Sequence, residues 1–177
     1  IYVNGHSPKV RSEVIIPVLL GLSVGLVIAL LDLVVFTPAL AGEAAGIADP
    51  AARPEWWRGL LASFYGGIVE EILLRLFFLN LIVLVLMKIT QRERRQPAEW
   101  QNWAAIILST LLFAAGHLPT AAATGTLSGL MVFRVMVLNS AAGIVFGLIF
   151  TRRGLLPAMM SHFSADIVLH VIVAALL

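Results

Sequence analysis

Glu70, Glu71 and Arg75 stand in the middle of an apolar run that extends from residue 60 to residue 87. About 20 mostly apolar residues are enough to cross a bilayer as a helix. An ionisable side chain inside such a helix is costly to desolvate, so it faces a protein-lined or wet cavity and is interpreted first as functional. This segment therefore predicts a helical membrane bundle that encloses polar groups.

The composition is that of a membrane protein with several spans. Hydrophobic residues make up 60% of the chain and charged residues 12%, whereas soluble domains have roughly 45–50% and about 25%. We expect an all-α polytopic transmembrane bundle with about five spans, forming a single integral membrane domain over residues 1–177. The predicted spans are 14–36, 60–87, 104–118, 127–150 and 155–177.

Two of these spans have unusual lengths. The second is longer than one straight crossing requires, which predicts either a tilted helix or a break at Gly66 and Gly67. The third is short, and Pro119 is predicted to end it. The first apolar run is long enough to cross and is followed by further spans, so we interpret it as a span and not as a signal peptide.

Composition also excludes other classes of function. The chain has no cysteine, so disulfides, thiol catalysis and cysteine-ligated metals are excluded. Its net charge of +2 is small, and nothing in the sequence indicates a nucleic-acid surface. We therefore expect the lipid bilayer as a partner and no nucleic acid.

Positive charge alternates between the connections. Basic residues precede the first span and follow the second and fourth, whereas the connection 119–126 carries no charge; they are Lys9, Arg11, Lys88, Arg92, Arg94, Arg95, Arg152 and Arg153. Basic connections lie on the cytoplasmic side of a membrane. The pattern predicts a cytoplasmic N-terminus.

The two adjacent glutamates differ in what they can reach. Glu71 and Arg75 lie four residues apart with the acid first, which favours an ion pair on one helix face. Glu70 points about 100° away around the helix and cannot share that arginine well. A desolvated carboxylate without a cation is a usable general base. The alternative is a charge cluster that only holds helices together.

Two later spans carry polar side chains at helical spacing. Phe113 and His117 are i,i+4 neighbours, so the phenyl ring can pack on the imidazole and fix it. His162, Asp166 and His170 recur every four residues and form one polar stripe, in which the aspartate can orient an imidazole. Each feature alone is also explained by helix packing or by an interfacial position, and we favour such a role for His170.

Two further charged residues lie near the outer ends of their spans. We interpret Arg134 and Asp32 as snorkelling residues or, for Asp32, as the border of a cavity, and we assign neither to catalysis.

The depth of the site residues in the membrane sets a separate requirement. At 1.5 Å per residue Glu70 lies roughly 25 Å from the cytoplasmic end of its helix and His162 roughly 12 Å. For these two to meet, the segment 152–157 has to lie below the membrane surface.

The three motifs resemble a known family when they are taken together. They are Glu70-Glu71-x-x-x-Arg75, Phe113-x-x-x-His117 and His162-x-x-x-Asp166, in that order. The combination resembles the CPBP or Abi family, which includes the type II CAAX prenyl endopeptidases and bacterial relatives linked to bacteriocin processing and self-immunity. The resemblance covers about residues 60–177. It implies a helical bundle around a conical intramembrane cavity, peptide-bond cleavage, and a prokaryotic cell membrane as the location.

The resemblance also implies a catalytic role for each motif. Glu70 would activate a water molecule with help from His117, and Glu71 with Arg75 would be the orienting pair.

The last motif, His162 with Asp166, would stabilise the oxyanion. Eukaryotic prenyl proteases carry asparagine at the last position, and asparagine can donate a hydrogen bond. An ionised Asp166 cannot, so here it would act when protonated or by keeping His162 positively charged.

We therefore predict an intramembrane endopeptidase that needs no cofactor and cleaves a peptide or protein substrate, lipidated or not. Two alternatives remain open. Glu70, His117 and His162 could bind Zn²⁺ in a metalloprotease, although the spacing is not His-Glu-x-x-His. The protein could also be a non-enzymatic immunity or scaffold factor that binds a peptide in the same cavity.

Overall fold

The computed structural model describes residues 11–42, 55–90, 96–124 and 127–176, and the regular structure there is entirely helical. We number the helices α1 (Glu13–Leu40), α2 (Trp56–Thr90), α3 (Glu99–Gly116), α4 (Leu118–Thr124), α5 (Gly129–Arg153) and α6 (Leu155–Leu176). Five helices are long and apolar enough to cross a membrane when α3 and α4 count as one span. The predicted all-helical membrane architecture is confirmed.

Local signals explain where the helices begin and end. The Ser128 hydroxyl accepts a hydrogen bond from the Met131 amide at 3.1 Å and caps the start of α5. At the other end of α5, Gly154 has a φ of 93°, a backbone region that favours glycine. Helix α6 begins at the next residue, so α5 and α6 form a tight hairpin.

The third span differs from its prediction at both ends. Helix α3 begins at Glu99 and not at 104 because a polar first turn precedes the apolar residues. Gln101 stabilises this turn, accepting from the Ala98 amide and donating to the Thr90 hydroxyl, each at 2.8 Å. The helix ends at Gly116, and Pro119 lies in the first turn of α4, where a missing amide costs nothing.

Helix α2 runs without a break through Gly66 and Gly67, so the suggested break is absent. Instead, its middle contains wider π-type turns over Tyr65–Glu70 and Ile72–Leu79. Turns of this kind occur often at functional sites. Here they border Glu71 on both sides.

Glycines allow the long helices to approach closely. A Cβ atom on Gly25 of α1 would come within 2.7 Å of the Ala165 carbonyl of α6. One on Gly143 or Gly147 of α5 would press against Thr110 or Ile106 of α3. This small-xxx-small packing is typical of membrane helices. It holds α1 on α6 and α5 on α3, around an interior that contains the polar residues.

Part of the orientation argument falls outside the described residues. Four of the basic residues behind it, Lys9, Arg92, Arg94 and Arg95, belong to segments that the structure does not describe. The depth of the segment 152–157 relative to a membrane surface stays a prediction.

Candidate active site

A cavity of about 900 Å³ lies between α1, α2, α3, α5 and α6. Four of the six predicted site residues line it, namely Glu70, His117, His162 and Asp166. The other two, Glu71 and Arg75, are fully buried behind its wall. The six residues thus form two layers, one in contact with the cavity and one behind it.

Glu71 joins the two layers. Its Oε1 accepts a hydrogen bond from Nδ1 of His162 at 2.9 Å, and its Oε2 lies 3.4 Å from Nε of Arg75. Because Glu71 and Arg75 are one helical turn apart, the ion pair follows from α2 alone. The bond to His162 connects α2 to α6. Glu71 therefore holds the imidazole in one orientation.

Arg75 is buried among aromatic rings. Its Nη2 donates to the Gly143 carbonyl of α5 at 3.1 Å, and its guanidinium carbon lies 5.1 Å from the centre of the Phe113 ring and 5.9 Å from that of Phe146. Cation–π contact of this kind stabilises a desolvated cation. Within the described residues Nε and Nη1 have no hydrogen-bond partner, nor does Oε2 of Glu71. The buried pair is only partly satisfied.

His162 is held on several sides. Its ring stacks on Phe146 with centres 4.5 Å apart, and the Phe113 ring lies nearly perpendicular to it with centres 5.5 Å apart. Since Nδ1 is engaged by Glu71, Nε2 faces the cavity, 3.8 Å from Oε2 of Glu70 and 3.6 Å from Oδ2 of Asp166. Both separations exceed hydrogen-bond length, so Nε2 is free to contact a ligand.

Gly66 makes room for this arrangement. A Cβ atom at this position would overlap Oδ2 of Asp166 and lie 3.2 Å from Nε2 of His162. Glycine in a helix interior costs roughly 1 kcal/mol relative to alanine. Close approach of the α2 backbone to the aspartate explains why a glycine stands here.

His117 also packs against the Phe113 ring. The predicted packing is present, with ring centres 4.7 Å apart. Its Nδ1 donates to the Phe113 carbonyl at 2.9 Å. In the neutral ring Nε2 then carries the lone pair and can accept a proton. No hydrogen bond or ion pair joins His117 to Glu70 in the part of the chain that the structure describes.

The zinc alternative needs three ligands at one point. No group of three His, Asp or Glu side chains in the described ranges could hold a metal ion. The three ligands of the zinc alternative, Glu70, His117 and His162, do not form such a group either. The zinc alternative therefore gains no support from the described residues.

The cavity is also lined by an ion pair, Arg134 with Asp32, that the sequence pattern did not predict. Arg134 of α5 donates from Nε and Nη2 to the two carboxylate oxygens of Asp32 in α1, at 2.5 and 2.6 Å. Both side chains line the cavity, and 31% and 25% of their surfaces are exposed. Charged residues inside membranes usually pair. Asp32 and Arg134 both lie near the ends of their predicted spans, and this similar depth could have indicated that they form a pair.

His170 lines the same cavity as Asp32 and Arg134. About half of its side chain is exposed, and its Nε2 is 3.9 Å from Oδ1 of Asp166. The exposed fraction thus rises from zero at Glu71 to about half at His170. We call the more exposed end of the cavity, where Asp32, Arg134 and His170 lie, its mouth.

Comparison with known families adds a separate finding. A family model described as type II CAAX prenyl endopeptidase Rce1-like matches residues 52–168. The chain belongs to this family. The match covers α2 to α5 and most of α6, and it leaves out α1. No curated protein and no solved structure matches the chain.

Membership of the Rce1-like family has limited consequences for function. It implies a peptidase of the CAAX type that works in the membrane on a peptide or protein substrate. Members of the family can also be non-catalytic. Together with five apolar helices, membership identifies an integral membrane protein.

Proposed function

We propose that this protein is an intramembrane endopeptidase in which Glu70, assisted by His117, activates the attacking water. One observation carries the proposal. Of two adjacent glutamates, Glu71 is committed to Arg75 and His162, whereas Glu70 reaches the cavity and has a fifth of its side chain exposed. A general base needs such access, and Glu70, unlike Glu71, is not paired with Arg75.

The proposed reaction begins with a water molecule between Glu70 and the scissile carbonyl. Glu70 takes a proton while the water oxygen bonds to the carbonyl carbon, and the carbonyl π electrons move to oxygen. The C–N bond then breaks, and the leaving nitrogen receives a proton from Glu70 or from His117. The lone pair on Nε2 of His117 allows this histidine to hold the proton between its removal from water and its transfer to the leaving nitrogen.

His162 is placed to stabilise the oxyanion. With Nδ1–H donated to Glu71, an imidazolium would direct Nε2–H into the cavity. A preorganised donor of this kind typically lowers the barrier by about 2.7–4 kcal/mol. Asp166 lies beside Nε2 at 3.6 Å, which supports the indirect role. It would keep His162 charged and would not itself donate to the oxyanion.

The substrate would be a peptide or a protein segment that enters from the mouth of the cavity. Apolar side chains form much of the wall, including Leu73, Phe78 and Leu138. Such a wall also suits a lipid chain attached to the peptide.

Membrane orientation decides the compartment from which the substrate comes. If the N-terminus is cytoplasmic, as we propose for a prokaryotic cell membrane, the mouth near Asp32 and Arg134 faces away from the cytoplasm. The chain has no native cysteine, so single cysteines report without background. An impermeant maleimide on intact cells should label the Leu127→Cys variant and spare the Gln96→Cys variant. The reverse pattern would invert the orientation.

The central test is hydrolysis of a peptide library by the purified protein in detergent. Glu70→Gln should lower kcat by about 10²- to 10⁴-fold, the range for loss of a general base. Glu99→Gln is the matched control, because that glutamate is exposed at the start of α3. Turnover by the Glu70→Gln variant at the wild-type rate would contradict the proposal that Glu70 activates the water.

Chelation separates the remaining alternatives. Full activity after exhaustive chelation would exclude the zinc enzyme, whereas loss that added Zn²⁺ restores would exclude the metal-free mechanism. An immunity or scaffold factor would keep its biological phenotype in the Glu70→Gln variant and would cleave no peptide.

A further inference from the structure

Three buried side chains behind the cavity wall have polar atoms without a hydrogen-bond partner among the described residues. The atoms are Oε2 of Glu71, Nε and Nη1 of Arg75, and Oγ1 of Thr110. Glu71 and Arg75 are 0% exposed and Thr110 is 2% exposed. Native proteins leave few such atoms unpaired, because an unsatisfied buried donor or acceptor costs free energy. These atoms therefore indicate a small polar ligand.

Thr110 and Arg75 meet at Gly143 of α5. Nη2 of Arg75 donates to the Gly143 carbonyl at 3.1 Å, and a Cβ atom on Gly143 would lie 3.1 Å from Oγ1 of Thr110. The Phe113 ring, one turn of α3 from Thr110, lies 5.1 Å from the guanidinium carbon. The rings of Phe113 and Phe146 line the cavity, whereas the three polar side chains do not. The unpaired atoms thus lie behind these rings, apart from the cavity.

The charges and the space around these atoms define the ligand. Arg75 repels a cation and Glu71 repels an anion. Because Nη1 of Arg75 is a donor and Oε2 of Glu71 an acceptor, the ligand has to accept and donate hydrogen bonds. A Cβ atom on Gly143 would already press on the Thr110 methyl group at 2.9 Å, so only a very small ligand fits beside it. Water meets all three requirements, and buried water molecules typically make about three hydrogen bonds to such groups.

We propose that Glu71, Arg75 and Thr110 form a binding site for one water molecule, which accepts from Nη1 and donates to Oε2 and Oγ1. The water holds the second carboxylate oxygen of Glu71, whose first oxygen accepts from Nδ1 of His162 at 2.9 Å. Thr110 is then a positioning residue for His162, although it belongs to none of the three sequence motifs. The water adds hydrogen bonds to the ion pair of Glu71 with Arg75 and does not replace it.

A crystal structure of the full chain tests the site directly. We expect one density peak within hydrogen-bond distance of Nη1 of Arg75, Oε2 of Glu71 and Oγ1 of Thr110. The Thr110→Val protein should lack this peak. Well-ordered side chains without the peak, or a peak that persists in the valine variant, would overturn the site.

The sign of a stability change provides a second test. Thr110→Val keeps the shape of the side chain and removes its hydroxyl group. If the hydroxyl holds a water molecule, the folding equilibrium constant in micelles should fall by at least about fivefold. If the hydroxyl is simply unpaired, valine removes an unsatisfied group, and the constant should stay the same or rise. That result would overturn the proposal.

Ser161→Ala is the matched control for this measurement. Oγ of Ser161 is also buried without a partner in the described chain, but it belongs to α6 where that helix packs on Gly21 of α1. Its loss should not lower the folding equilibrium constant. A loss as large as that of Thr110→Val would show that removing any buried hydroxyl has this effect, which would overturn the assignment.

The positioning role is tested on the imidazole itself. In protein labelled with ¹⁵N-histidine, the His162 signals are assigned as those that His162→Gln removes. Thr110→Val should shift or broaden the Nδ1 signal, and Thr110→Ser, which keeps the hydroxyl, should restore it. Ser109→Ala is the control, because the Ser109 hydroxyl donates to the Ile106 carbonyl at 3.1 Å and should leave the signal unchanged. Equal changes in the valine and serine variants would overturn the positioning role.

These measurements need no turnover, so they separate the water site from the proposed function. A protein that shows the water and the Nδ1 response but cleaves no peptide would support the site and contradict the proposed function. A protein that cleaves peptides without the water would have the opposite meaning.

Discussion

The cavity has an arginine–carboxylate pair at each end, and the two pairs are built differently. At the deep end Arg75 and Glu71 belong to one helix, are fully buried and lie 3.4 Å apart with several polar atoms unsatisfied. At the mouth Arg134 and Asp32 come from two helices, are partly exposed and form a two-pronged contact at 2.5 and 2.6 Å. The better geometry belongs to the more exposed pair.

This difference indicates different tasks. Breaking a buried pair leaves a charge without a partner or water, so the pair at the deep end is locked in place by its own desolvation. There it can hold His162 in a constant orientation. A partly exposed pair can exchange its partner for water or for a ligand at modest cost. Rigidity suits the catalytic end, and exchange suits the entrance.

The largest expected effect contrasts the two arginines directly. Arg75→Gln should lower the free energy of unfolding by about 3–5 kcal/mol, because Glu71 is left buried and unpaired. Arg134→Gln should lower it by about 1 kcal/mol or less. Denaturant unfolding of both variants in the same micelles measures the difference. Equal losses would show that the two pairs have the same structural role.

A second prediction concerns the glycine beside the deep end. Gly66→Ala should destabilise the protein by about 1–3 kcal/mol, because the added methyl group overlaps Asp166. Hydrolysis should fall as well, since Asp166 moves away from His162. Gly129→Ala is the control, because a Cβ atom there meets nothing within 4 Å. If Gly66→Ala kept full stability and activity, the close approach of the α2 backbone to Asp166 would not be required for function.

The smallest effect should come from the ring that stacks on His162. Phe146→Leu keeps an apolar side chain but removes a stacked aromatic contact worth about 0.5–1.5 kcal/mol. If that contact orients His162, kcat should fall by up to about tenfold with little change in KM. Phe77→Leu, on the exposed surface of α2, should leave kcat unchanged. A rise in KM alone would indicate that Phe146 contacts substrate and does not position the imidazole.

The sequence by itself determined the helical class of the fold and the main contacts that one helical turn creates at the site. Span length and apolarity predicted five crossings, and i,i+4 spacing predicted the neighbours Glu71 with Arg75 and Phe113 with His117. These predictions succeed because helix geometry alone brings such residues together. The predicted helix ends were wrong where a polar first turn extends a helix, as at Glu99, and where a new helix follows Gly116.

Only the tertiary structure decided which partners meet across helices. The bond from His162 to Glu71 joins positions 91 residues apart, and the pair of Arg134 with Asp32 joins positions 102 apart. Such contacts depend on the crossing angle and relative depth of each helix, which result from many weak packing contacts along whole helix faces. No local pattern contains that information. The division of the cavity into a rigid end and an exchangeable end therefore follows from packing.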